Sequence, residues 1–79
     1  MSIPIILPDL GGSPVRLSVW FADVGDFVYE GDRLVEVLVN GATFDVSSPV
    51  TGRLVERTYL ANDRIEQGQV LGLVELTPV

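Results

Sequence analysis

The charged side chains of this chain are dominated by carboxylates, eleven of them against five basic residues. All five basic residues are arginine (Arg16, Arg33, Arg53, Arg57, Arg64), and cysteine and histidine are absent. Thiol nucleophiles, disulfides and thiolate metal sites are therefore excluded, and so is imidazole, the commonest general base and metal ligand. A pair of carboxylates can run hydrolysis, but only across a cleft that holds substrate between them. Here Asp23, Asp26, Glu30, Asp32, Asp63 and Glu66 are spread over turns. No single loop gathers the several oxygen ligands that calcium or magnesium requires. Asp26 and Asp63 stand beside turn residues, where a carboxylate commonly accepts backbone N–H bonds, and that structural role is expected of both. No catalytic residue and no metal ligand emerges.

Two stretches remain as candidates for contact with other molecules. Gly11-Gly12-Ser13-Pro14 has the glycines of a phosphate loop, but no helix N-terminus follows it and no lysine stands near. Asn40-Gly41 lies between two β-rich runs and is a strong hairpin signal, because a type I′ turn needs positive φ at both central residues. Leu38, Val39 and Phe44 flank it. A two-stranded tip projecting from a small domain cannot bury both faces, and exposed clusters of apolar groups often mark an interface. The structural alternative is that Leu38 and Phe44 fold back over the domain edge as core.

The elements that position these residues read as all-β. No window keeps an apolar stripe at helical spacing, and glycine or proline interrupts nearly every stretch. Strands are expected at residues 3–7, 15–21, 27–29, 33–39, 42–47, 53–60, around Ile65 and at 70–76, with Val15, Leu17 and Val19 on one face of the second and Arg16, Ser18 and Trp20 on the other. Trp20 is read as a packing residue. Seventy-nine residues make a single domain spanning 1–79, and a net charge of −6 repels phosphate backbones, so nucleic acid is not an expected partner. Apolar runs fall far short of the roughly 20 residues that span a bilayer, and no basic leader opens the chain. A soluble, cytoplasmic domain without membrane contact is the expectation.

An internal repeat organises the strands. Residues 24–34 align with residues 61–71 at an offset of 37, so that Asp26 matches Asp63, Val28 matches Ile65, Gly31 matches Gly68 and Leu34 matches Leu71. Val37 matches Val74, and Arg16-Leu17 matches Arg53-Leu54. Gly25 falls with Asn62, which suits a shared left-handed turn. Two copies are too few for a solenoid and suit a two-fold arrangement in which each half covers the other's apolar face.

With strands, repeat and hairpin in place, the chain resembles the biotinyl/lipoyl attachment domains. Within that family it is most similar to the lipoyl domains of 2-oxo acid dehydrogenase acyltransferase subunits. The resemblance runs from Leu7 to about Glu75 and is carried by Pro8-Asp9-Leu10-Gly11, Trp20, Val24-Gly25-Asp26, Glu30-Gly31-Asp32, Leu34, Glu36-Val37, Ala42, Ser48-Pro49, Gly52 and Gly68. It implies a flattened eight-stranded barrel of two four-stranded antiparallel sheets with pseudo-two-fold symmetry, an exposed Asn40-Gly41 tip, and the Gly11–Pro14 loop beside it. Lipoyl domains read glutamate, threonine, aspartate, lysine, alanine at that tip, and the lysine amine forms an amide with lipoate. This chain reads Leu38, Val39, Asn40, Gly41, Ala42. The biotinyl pattern, lysine between two methionines, is equally absent. An amide needs a primary amine, so covalent lipoate or biotin is excluded at every side chain, leaving only the α-amine of Met1.

The expectation is therefore a lipoyl-like domain without cofactor, a non-catalytic interaction or scaffold module. Its docking surface would be Leu38, Val39, Asn40, Gly41 and Phe44 with Gly11, Gly12, Ser13 and Pro14. Its partners would be subunits of 2-oxo acid dehydrogenase or carboxylase assemblies, with self-association as a second outcome. The alternative is an excised or substituted carrier domain of a dihydrolipoamide acyltransferase component.

Overall fold

A computed structural model describes residues 1–77 and contains the eight expected strands. They are β1 (Ser2–Ile6), β2 (Val15–Trp20), β3 (Phe27–Val28), β4 (Arg33–Val39), β5 (Ala42–Ser47), β6 (Gly52–Arg57), β7 (Arg64–Ile65) and β8 (Val70–Leu76). Two four-stranded antiparallel sheets form, in the orders β1-β8-β6-β3 and β5-β4-β2-β7, within a body of 39 × 19 × 16 Å. The sixth strand is shorter than the sequence pattern suggests, ending at Arg57 and not at Leu60. Beyond it Trp20 Nε1 donates to the Tyr59 carbonyl (2.8 Å), and the Leu60 N–H turns back to Asp63 Oδ2 (2.8 Å).

The repeat generates the architecture. Moving 37 residues along the chain carries β2, β3 and β4 onto β6, β7 and β8, and each half gives its short strand to the other half's sheet. The turns before these strands are held alike. Asp23 N–H donates to Asp26 Oδ2 and Leu60 N–H to Asp63 Oδ2, both at 2.8 Å. Tyr29 N–H donates to Asp32 Oδ2 (2.9 Å), and Glu66 N–H to Gln69 Oε1 (2.8 Å), an amide oxygen replacing the carboxylate. Gly25 (φ 102°) and Asn62 (φ 73°) share the left-handed conformation that the alignment implies. The structural role expected of Asp26 and Asp63 is thus the one they play.

The core is built from the same matched positions. Leu17 and Leu54, Val28 and Ile65, Leu34 and Leu71, and Val37 and Val74 are all buried, joined by Ile5, Leu7, Val15, Val35, Val39 and Val46. Fully burying each such side chain contributes about 1.5–3 kcal/mol. One facing pattern differs from strict alternation. β2 pairs Leu17 with Val37 but Val19 with Glu36, leaving Ser18 as an extra residue. That bulge turns Val19 outward to 41% exposure and brings Trp20 inward against the core, the reverse of the faces expected for both. β6 repeats the irregularity, pairing Leu54 with Val74 but Glu56 with Leu73.

Central strand β8 runs close to β6. A Cβ at Gly52 would collide with the Glu75 carbonyl oxygen, and one at Gly72 with the Glu56 carbonyl oxygen. Gly52→Ala is expected to cost about 3 kcal/mol or more through forced backbone displacement, since the clash is with backbone. Asp63→Ala, which removes one turn hydrogen bond, should cost about 1 kcal/mol. Urea unfolding midpoints order the two, and equal midpoints would contradict the close β6–β8 approach.

Candidate functional site

The tip is built by strand pairing. β4 and β5 pair Val37 with Phe44, Leu38 with Thr43 and Val39 with Ala42, leaving a two-residue connection. Asn40 (φ 50°) and Gly41 (φ 78°) both lie at positive φ, as a type I′ turn requires. A Cβ added at Gly41 would meet nothing within 4 Å. Position 41 therefore faces open space.

The glycine loop sits against this tip. Asp9 Oδ1 accepts from Gly11 N–H (2.9 Å) and fixes the loop's entry. A Cβ at Gly12 would stand 2.6 Å from Asn40 Nδ2 and 2.9 Å from Val39 Cγ1, so the loop backbone lies directly against the side chains of the turn. Farther along the loop, Gly12, Ser13 and Pro14 share an open depression of about 430 Å³ with Asp9, Val15, Arg64, Ile65, Glu66 and Gln67. Gly11–Pro14 and Asn40-Gly41, far apart in sequence, thus form one end of the domain.

The apolar flank of the tip does not form one patch. Residues paired across antiparallel strands share a face. Leu38 pairs with Arg16 and Thr43 and points outward, at 40% exposure. Val39 pairs with Val15 and Ala42, points inward and is 3% exposed. It is core, held beneath the glycine loop, and is not part of a contact surface. Phe44 shares the inward face with Val37, yet β5 is an edge strand and the ring stays 41% exposed. Leu38 and Phe44 therefore look out from opposite faces of the hairpin.

Two residues enter the site that the sequence did not single out. Arg16 on β2 and Arg64 on β7 are directly paired, so the outward row across this sheet reads Arg64, Arg16, Leu38, Thr43. Arg16 Nη1 donates to the Asn62 carbonyl (3.0 Å), and among the described residues neither guanidinium has a carboxylate within 4 Å. Like charges placed opposite one another are mildly destabilising, and here they make a basic spot on an acidic domain. Their juxtaposition depends on the β2–β7 register, for which no local signal exists. Among the described residues no three carboxylates converge as a metal site would need. One end of the domain thus brings together the Gly11–Pro14 loop, the Asn40-Gly41 turn, exposed Leu38 and the paired Arg16 and Arg64.

Comparison with known proteins agrees with this geometry. The family model Biotin_lipoyl, described as "Biotin-requiring enzyme", matches residues 3–75. The dihydrolipoyllysine-residue succinyltransferase component of the 2-oxoglutarate dehydrogenase complex of Bartonella vinsonii subsp. berkhoffii is 36% identical over 77 residues, covering 95% of this chain and 19% of that protein. The lipoamide acyltransferase component of the branched-chain alpha-keto acid dehydrogenase complex of Pseudomonas aeruginosa is 42% identical over 53 residues, 65% of this chain and 12% of that protein. The chain thus spans less than a fifth of the length of these curated relatives. The solution structure of the lipoyl domain of the 2-oxoglutarate dehydrogenase complex from Azotobacter vinelandii superposes with a TM-score of 0.70 at 18% identity. It covers 98% of this chain and 99% of that one, so the fold is shared.

The contact between loop and turn is directly testable. Gly12→Ala is expected to displace the Asn40 and Val39 side chains against the loop, shifting the amide resonances of Val39, Asn40 and Gly41 and lowering stability by about 1 kcal/mol. Unchanged resonances at those three residues would show that loop and tip do not touch.

Proposed function

The chain belongs to the Biotin_lipoyl family, and from that premise we propose that it is a lipoyl-type domain that docks without carrying a covalent cofactor. Its partners would be subunits of a 2-oxo acid dehydrogenase or carboxylase assembly, met in the cytoplasm through the tip and the glycine loop. The observation that supports this reading most is position 41. The hairpin displays it to open space, where lysine in the resembled domains holds its cofactor, but the residue is glycine and all five basic side chains are arginine. A guanidinium is not a primary amine and is not the acceptor that an amide to lipoate or biotin requires. What remains at the tip is recognition: exposed Leu38 and the Gly11–Pro14 loop, with Arg16 beside them.

A second reading is favoured by coverage. Because the chain matches less than a fifth of its relatives' length, it would be one domain of a longer acyltransferase component, with the acceptor lysine on another domain of the same parent. The two readings share the tip chemistry and differ in what lies outside the domain.

Intact-mass measurement after incubation with lipoate, ATP and a lipoate ligase tests the premise about position 41. The wild-type domain is expected to keep its mass, and Gly41→Lys to gain one lipoyl group; a lipoyl mass on a wild-type side chain would overturn the reading. For docking, wild type and Leu38→Glu are used as baits for dehydrogenase and carboxylase subunits. Retention of such a subunit by wild type, at least tenfold reduced in the variant (about 1.4 kcal/mol), supports a docking tip. Equal retention by both would contradict it.

A further inference from the structure

We propose that the free edge of β5 is a self-association surface, on which a second copy of this chain pairs its own β5 antiparallel and extends the sheet. The proposal concerns the flank of the hairpin and stands apart from any partner docked at its tip. The fold has four edge strands, β1 and β3 in one sheet and β5 and β7 in the other. β3 and β7 are two residues long, too short to template a neighbour. β1 carries Pro4, which has no N–H to give. β5 has six residues and neither the proline nor the lysine that commonly blunts an edge.

The turn fixes which backbone groups are on offer. In a two-residue hairpin the residues flanking the turn form a hydrogen-bonded pair, here Val39 with Ala42, and the bonded and non-bonded pairs then alternate. Phe44 bonds inward to Val37, so the N–H and C=O of Thr43 and Asp45 point away from the sheet. Among the described residues no loop or turn hydrogen bond reaches them. These outward groups are self-complementary about a two-fold axis at Phe44. Thr43 of one copy would exchange both bonds with Asp45 of the other, and the reverse. Phe44 would then meet the Phe44 of the second copy at the non-hydrogen-bonded position, where Cα atoms come within about 4.5 Å. Both rings would lie on the same face of the extended sheet, covering apolar area that is exposed in one copy.

The charges set the strength. Asp45 faces Arg33 on β4 (3.7 Å), which offsets its charge, while Glu36 stands opposite Asp45 on the outward face. Each copy carries −6 overall. A single added strand pair buries less than a standard protein interface, so the dimer is weak and strengthens as salt screens the repulsion.

Sedimentation velocity and amide exchange by NMR, both followed from micromolar to millimolar protein at low and high salt, test the proposal on the unaltered chain. The expected result is a concentration-dependent dimer in which the Thr43 and Asp45 amides become protected, while the Phe44 amide is protected at every concentration. Phe44→Glu should weaken association at least about tenfold, because it sets two carboxylates against each other at the axis. Val55→Glu, an equal change of charge at an exposed position on β6, should leave the edge pairing in place. A chain that stays monomeric, or a dimer whose Thr43 and Asp45 amides still exchange freely, would overturn the proposal. So would protection of these amides only on adding a different protein.

Discussion

Everything in this domain depends on the exchange of short strands between its two halves. Gly25 N–H donates to the Leu54 carbonyl (2.7 Å) and Leu54 N–H to the Asp26 carbonyl (2.9 Å). Thirty-seven residues on, Asn62 N–H donates to the Leu17 carbonyl (2.8 Å) and Leu17 N–H to the Asp63 carbonyl (2.9 Å). These four bonds fasten the turn of each half to the long strand of the other. They also fix the level at which Leu17 and Leu54, both fully buried, enter the core. Neither half has a complete sheet alone, and a lone hairpin is at best marginal in water. The hydrophobic stabilisation therefore arrives only when both halves have folded. That coupling lets a chain without cysteine hold its two sheets together without a disulfide.

Much of this was legible because it is local or repeated. The Asn40-Gly41 turn follows from the φ values that two residue types tolerate, and the matched pairs from Val28 with Ile65 to Val37 with Val74 follow from the 37-residue offset. The features that were not legible are set by register. Ser18 and Val55 are inserted by bulges that nothing in their residue type announces, and each insertion flips the side chains beyond it. Val39 reads as one of three apolar residues at a tip, but its facing is decided by Val15 across the sheet and Gly12 above it. The Arg16–Arg64 pair likewise exists only because β7 comes from the other half of the chain. Family resemblance supplied the loop's position beside the tip, and the structure places Gly12 directly against the Asn40 and Val39 side chains.

The tip itself illustrates a conflict between turn chemistry and side-chain chemistry. At φ 78° a residue with a Cβ pays about 1–2 kcal/mol relative to glycine. Open space around Gly41 means that this backbone term, and no steric clash, is what a side chain there would face. Asn-Gly removes it, so the hairpin is relaxed in the turn type that best matches strand twist. Glycine at position 41 thus favours the local turn, and a side chain placed there would give up that preference.

Departures from the internal symmetry fall on the loop, the tip and one sheet edge. What the two halves share is explained by folding, since each needs the same turns, bulges and buried leucines. What they do not share is not demanded by the fold. The connection from β5 to β6 crosses over in four residues, whereas that from β1 to β2, its two-fold counterpart, takes eight. The shorter one shows that four residues suffice to link such strands. The additional length in the longer one carries Gly12 down onto Asn40 and Val39 and lines the depression with Ser13 and Pro14. Likewise β1 is blunted by Pro4 where its counterpart β5 is left open. Loop, tip and open edge all belong to the same sheet or its end. The remainder of the domain repeats between the two halves and carries most of the shared core.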